Sequence, residues 1–119
     1  MSDTRPQDAA VAQAWFTPAS WVQLEEAIAA AGMPKTVLAD SYEDFVSAFG
    51  RFARGFEERG IRVDPMPIDV PHMVAWCARW GLRIDSAGRT KYVAALAMAG
   101  GDFAEVDRRP FGDRTRTER

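Results

Sequence analysis

The chain contains a single cysteine, Cys77, and a single histidine, His72. One cysteine excludes an internal disulfide, and the pair together is too little for the usual His/Cys metal clusters. No apolar run approaches the ~20 residues needed to cross a bilayer. The opening residues, MSDTRPQD, are polar, unlike a secretory leader. These absences predict a cytoplasmic protein with no membrane contact, no metal and no cofactor. Lysine is nearly missing, with two residues against thirteen arginines, and the net charge is −2. Such a balance gives no overall attraction to nucleic acid or to anionic lipid. A glycine-rich phosphate loop is lacking too. Gly50, Gly55 and Gly60 are spread along one helical stretch instead of bunched between a strand and a helix.

What is present is helical periodicity. The heaviest apolar load lies in YEDFVSAFGRFARGFE, beginning at Tyr42. On a helix, Tyr42, Phe45, Val46, Phe49, Phe52, Ala53 and Phe56 fall on one arc about 120° wide, with charged and polar residues opposite. Burying each large side chain is worth about 1.5–3 kcal/mol, so this stretch is predicted to be the central helix that the others cover. Asp40 or Ser41 can cap it, each with an acid three residues on, and Gly60 closes it. Gly50 and Gly55 flank the stripe, where small residues would let a neighbouring helix, or else a partner, approach closely.

The remaining elements follow from caps and breakers. Thr17 before Pro18 starts a helix that ends at Gly32, with Phe16 and Trp21 placed as a hydrophobic staple. Asp69 caps a third helix, apolar nearly all round, that ends at Gly81. Asp85 or Ser86 caps a fourth, which Gly100-Gly101 ends. Pro65 and Pro67 make residues 61–69 an extended connector across the bundle. Ala9 to Phe16 is predicted as a short N-terminal helix. The expected fold is therefore all-α: a compact bundle of four main helices, about 18–31, 42–59, 70–80 and 86–99. One helical domain covers 1–101, followed by a flexible tail at 102–119.

Groups able to do chemistry are few. Cys77 and His72, five residues apart, do not share a helical face, and the adjacent pairs Glu25-Glu26 and Glu57-Glu58 point apart. The chain is therefore read as no enzyme. The charge distribution is more suggestive. Residues 70–101 carry four basic groups (Arg79, Arg83, Arg89, Lys91) and one acidic group (Asp85), a net +3. From Tyr92 to Ala99 every residue is apolar or aromatic, too long a run for one buried side.

The C-terminal helix pair is accordingly the expected working face. Tyr92, Ala95 and Met98 should be outward or partly outward, with Arg83 and Lys91 at the rim and Arg79 and Arg89 as further partner-binding residues. The first reading is a non-catalytic module that binds a protein partner or a second copy of itself. It would act as an accessory, adaptor or inhibitor of the kind that phages and mobile elements direct at host defence complexes. The alternative is DNA binding by a helix-turn-helix-like pair over 70–99, where Cys77, Gly81 and Leu82 suit the turn and residues 79–91 could contact phosphates.

Overall fold

The computed structural model describes residues 9–108. They form five α-helices and two strands: β1 (Ala10–Trp15), α1 (Pro18–Ala30), α2 (Tyr42–Glu57), β2 (Arg62–Pro67), α3 (Val70–Arg79), α4 (Ser86–Met98) and α5 (Phe103–Arg108), with a 3₁₀ turn at Lys35–Val37. The caps act as the sequence implies. Thr17, Ser41, Asp69 and Asp85 each accept a hydrogen bond from the backbone N–H three residues on. Gly32, Gly60, Gly81 and Gly100 take the positive φ that ends each preceding element.

The all-α expectation is overturned. Residues read as an N-terminal helix form β1, and the extended connector forms β2; the two pair in parallel, Ala10 opposite Arg62 through Trp15 opposite Pro67. Alanine favours helix in isolation, yet pairing and burial on both faces outweigh that preference here. A parallel pair needs a long crossover, and α1 and α2 supply it. Successive side chains alternate between the two faces of the sheet. Trp15 projects to the α2 side, its ring 5.4 Å from that of Phe45 and 5.0 Å from that of Phe49. Ala12, Ala14 and Met66 project to the other side and pack on the main core. The fold is mixed α/β, with helices on both faces of a narrow sheet.

The centre of the core is also not where the Phe-rich stretch placed it. The most deeply buried large side chains are Trp76, Tyr92, Leu24, Ile28, Met73 and Val106, drawn from α1, α3, α4 and α5. No residue of α2 is fully buried, and Val46 and Phe52 each remain 39% exposed. The stripe does face inward. However, two strands at about 4.8 Å spacing make a floor no wider than the ~10 Å helix lying on it. Phe45 is closed in by Phe16 and Trp21 beyond the sheet, and the Tyr42 hydroxyl donates to the Phe16 carbonyl at 2.8 Å. Phe52 and Phe56, further along, meet each other at a tilt with ring centres 4.9 Å apart, and the Arg59 guanidinium lies 4.8 Å from the Phe56 ring. Neither interior glycine serves a close approach. A Cβ at Gly55 would meet nothing within 4 Å, and one at Gly50 would meet only the Arg54 side chain at 3.9 Å.

Residues 103–108, read as the start of a tail, fold as α5 onto α3. The Trp76 indole N–H donates to the Val106 carbonyl at 3.1 Å, and the Phe103 ring lies parallel to His72 at 4.1 Å. The rest of the predicted tail, 109–119, lies outside the described residues, as does 1–8.

Candidate functional site

The most site-like feature is a groove of about 530 Å³ running beside β1. Its base is the strand itself, Val11 to Ala14. Phe45 and Ala48 of α2 form one wall, and Thr90, Val93, Ala94, Ala97 and Met98 of α4 form the other. Phe16, Trp21 and Leu24 contribute further apolar lining, as do Leu38 and Ala39 beside the 3₁₀ turn.

The backbone of β1 explains why a groove exists there. Arg62 N–H donates to Ala9 O and Ile68 N–H to Trp15 O, so even-numbered residues of β2 pair with odd-numbered residues of β1. The backbone groups of Ala10, Ala12 and Ala14 therefore point to the opposite edge of β1, where no described chain pairs with them. On β2 the same alternation turns Pro65 and Pro67 outward. Neither has an N–H to leave unpaired there, and the ladder inside is intact.

The basic and apolar residues of the predicted working face are scattered by the fold. Arg79 lies exposed with its guanidinium 5.2 Å from the Trp80 ring, and Arg83 is exposed in the turn between α3 and α4. Arg89 donates to the Ile84 carbonyl at 2.9 Å and to the Val37 carbonyl at 3.2 Å, pinning the 3₁₀ turn to α4. Burial holds its pKa below the usual arginine value. Lys91 is exposed, about 200° around the helix from Arg89, so these two do not share a face.

Tyr92 and Ala95 were expected to look outward and are instead buried, at 0% and 8% exposure. They belong to the side of α4 that meets α3, because both flanks of this helix are apolar and sequence alone does not say which is covered. Met98, 69% exposed, does look outward and lies in the groove wall with Ala94 and Ala97. Of the predicted set, then, Arg89 and Met98 come together at the groove, and the others do not. The contribution of β1 is not visible in the sequence, because the Ala-rich stretch 9–16 reads as a helix.

Two other clusters have chemical potential on paper. Cys77 is 1% exposed, its sulfur 3.9 Å from the Gly88 carbonyl, and burial together with Asp85 pushes its pKa up to about 11. A thiol held neutral and enclosed is a poor nucleophile. The native protein is expected to resist a bulky thiol reagent and to react fully once unfolded. Stoichiometric labelling within minutes under native conditions would refute that placement.

His72 joins Tyr92 and Asp107. Its Nε2 lies 3.0 Å from an Asp107 carboxylate oxygen and its Nδ1 lies 2.7 Å from the Tyr92 hydroxyl. A carboxylate only accepts, so Nε2 carries hydrogen; in the neutral ring Nδ1 then accepts from the tyrosine. This line of groups ends in a phenol with no exposed surface, and burial raises its pKa well above the phenol range. No substrate can reach that hydroxyl. The arrangement serves as a latch that fastens α5 to α3 and α4. It escaped sequence reading because 35 residues separate His72 from Asp107. Among the described residues no group of three His, Cys, Asp or Glu is placed to hold a metal, and no helix is long and apolar enough to cross a membrane. Comparison with protein-family models, with curated proteins and with solved structures finds no match for the chain.

Proposed function

We propose that the protein works without catalysis, as a small binding module that engages another protein through the groove between α2, β1 and α4. The observation that carries this reading is the groove itself, with apolar walls drawn from separate elements and Met98 largely exposed in one of them. Apolar concave surface of this size is what recognition sites are made of. Of the groups best able to do chemistry, the Cys77 thiol and the Tyr92 hydroxyl are buried elsewhere, and His72 is committed to Tyr92 and Asp107. An accessory, adaptor or inhibitor role fits a site that recognises without reacting. We take the setting to be cytoplasmic, where a lone thiol stays reduced. The nucleic-acid alternative draws less support. Arg89 is committed to two carbonyls, and of the exposed residues of α4 (Ser86, Ala87, Thr90, Lys91, Ala94, Ala97 and Met98) Lys91 alone is charged, where several base-reading or phosphate-binding side chains would be needed.

The test is a double variant, Ala94→Glu with Met98→Glu. Both residues are exposed, so the fold and melting temperature should be kept while charge is placed on the groove wall. Captured from the native host and identified by mass spectrometry, one or more proteins should be retained by the wild type and lost by the variant. An identical set on both would overturn the groove as the binding surface. A salt-dependent gel shift on duplex DNA, abolished by Arg83→Ala with Lys91→Ala, would favour the alternative instead.

A further inference from the structure

We infer that the occupant of the groove is an extended segment of the partner protein, which adds to the free edge of β1 as a third strand. This inference rests on the protein-binding reading above and names the form of the partner. Three observations carry it.

The two edges of the sheet are treated differently. The outer edge of β2 is protected: prolines at 65 and 67 remove two of its three outward donors, leaving that of Val63, and the charged pair Arg62–Asp64, at 2.8 Å, sits on the same strand. Proline and charge are the ordinary means by which proteins stop edge strands from recruiting others. β1, AVAQAW, has no proline and no charge. Its free edge offers the N–H and C=O groups of Ala10, Ala12 and Ala14, with no bonding partner among the described residues. The groove lies beside this edge. Strand addition is a common mode of peptide capture, in which the main chain supplies the hydrogen bonds and flanking pockets choose the side chains.

The walls decide what kind of strand fits. Phe45 and Ala48 of α2 and Thr90, Ala94 and Met98 of α4 line the groove at the open edge, so a segment entering beside β1 meets side chains of both helices. A second copy of this chain would bring its own α2 and α4 up to the same edge. A bare extended segment brings no helices with it. Its chemistry follows from the lining. Arg89 is the charged side chain there, and it is turned to two carbonyls, so neither wall offers a charge to pair. Side chains alternate between the two faces along a strand, and the lining here is mainly apolar, with Gln13, Ser86 and Thr90 as uncharged polar residues. The segment should therefore carry small or medium uncharged residues at successive positions, over about four or five residues.

The parity of the ladder supplies a selective test. The N–H of Ala12 takes no part in pairing with β2, so Ala12→Pro removes a donor from the free edge and leaves the native ladder whole. Proline is tolerated at such an outward edge position, as Pro65 and Pro67 show on β2. The full chain and this variant are each challenged with a displayed library of random nine-residue peptides. The expected result is enrichment of uncharged, β-prone peptides on the wild type. Their affinity should fall at least about fivefold on Ala12→Pro, the worth of one backbone hydrogen bond, at unchanged melting temperature. N-methylation of alternate residues in the best peptide should abolish binding in one register and spare it in the other. Should Ala12→Pro fail to fold, the N-methyl comparison on the wild type decides the matter alone.

Peptides that bind Ala12→Pro as well as wild type but are lost on Ala94→Glu with Met98→Glu would overturn strand addition and leave the groove reading standing. Peptides indifferent to all these variants, or no enrichment at all, would overturn both. A wild-type dimer in sedimentation that Ala12→Pro dissociates would assign the edge to a second copy and overturn the partner segment.

Discussion

Replacing Gly88 by alanine is expected to destabilise the protein by about 3 kcal/mol, the upper part of the usual range for overpacking. The sign is the unusual part. Gly88 sits within the first turn of α4, where exchanging glycine for alanine ordinarily gains about 0.5–1 kcal/mol by stiffening the unfolded chain. Here a Cβ would stand 1.7 Å from the Arg83 carbonyl oxygen and 2.9 Å from its carbon. Both are backbone atoms, so no side chain can swing aside. Relief would require moving the start of α4 away from the turn that precedes it. That movement would disturb the Asp85 cap, which accepts from the Gly88 N–H at 2.9 Å. It would also disturb the Arg89 bonds to Ile84 and Val37, because Arg89 is the next residue. Gly55→Ala is the matched control. It too is a glycine inside a helix, with open space where the Cβ would stand, and it should raise stability by about 0.5–1 kcal/mol. Urea unfolding of the two variants beside wild type gives the comparison. Shifts of the same sign would show that the close approach at Gly88 is not present in solution.

That contrast also marks where the sequence stops being informative. Gly50, Gly55 and Gly88 look alike in a helical pattern, and the crowded one is told apart only by a carbonyl that the turn brings back against it. Local signals fared well. The Thr17-Pro18 start, the Phe16–Trp21 staple (ring centres 6.0 Å apart) and the glycine stops depend on residues a few positions apart. Signals that depend on distant pairing did not carry. Nothing in AVAQAW announces a strand, because its partner lies some fifty residues on, Ala10 opposite Arg62. Prolines 65 and 67 did show that the later segment is extended, and the same prolines hid that it is paired.

The candidate site was legible only in part, for a related reason. The apolar run Tyr92 to Ala99 does reveal a helix with more apolar surface than one buried side requires. Which flank of it is open depends on where α3, β1 and α2 come to rest. Tyr92 and Ala95 went inward, while Ala94, Ala97 and Met98 were left at the groove. A vacant strand position beside β1 is a property of the assembled sheet, and no periodicity along the chain encodes a missing neighbour.

The largest single loss of stability is expected from Trp76→Ala, about 4–5 kcal/mol, a large fraction of the 5–15 kcal/mol that ordinarily holds a domain of this size. Trp76 is 1% exposed and lies where α3, α4 and α5 meet. Its ring packs edge-on to Tyr92 at 5.5 Å, and its N–H satisfies the Val106 carbonyl at 3.1 Å. Truncation would leave a cavity the size of an indole and a buried carbonyl short of its donor, and the two costs add. Trp76→Phe should recover most of the packing and none of the hydrogen bond, so its cost should be about 1–3 kcal/mol. The informative comparison is with α2. Phe52→Ala should cost under about 1 kcal/mol, since that ring is already 39% exposed. Midpoints of urea unfolding at constant slope rank the variants. A Phe52→Ala loss as large as that of Trp76→Ala would return the centre of the core to the Phe-rich helix. The ranking expected here places it at the junction of α3, α4 and α5, with α2 as an outer cover whose unfilled side is the wall of the groove.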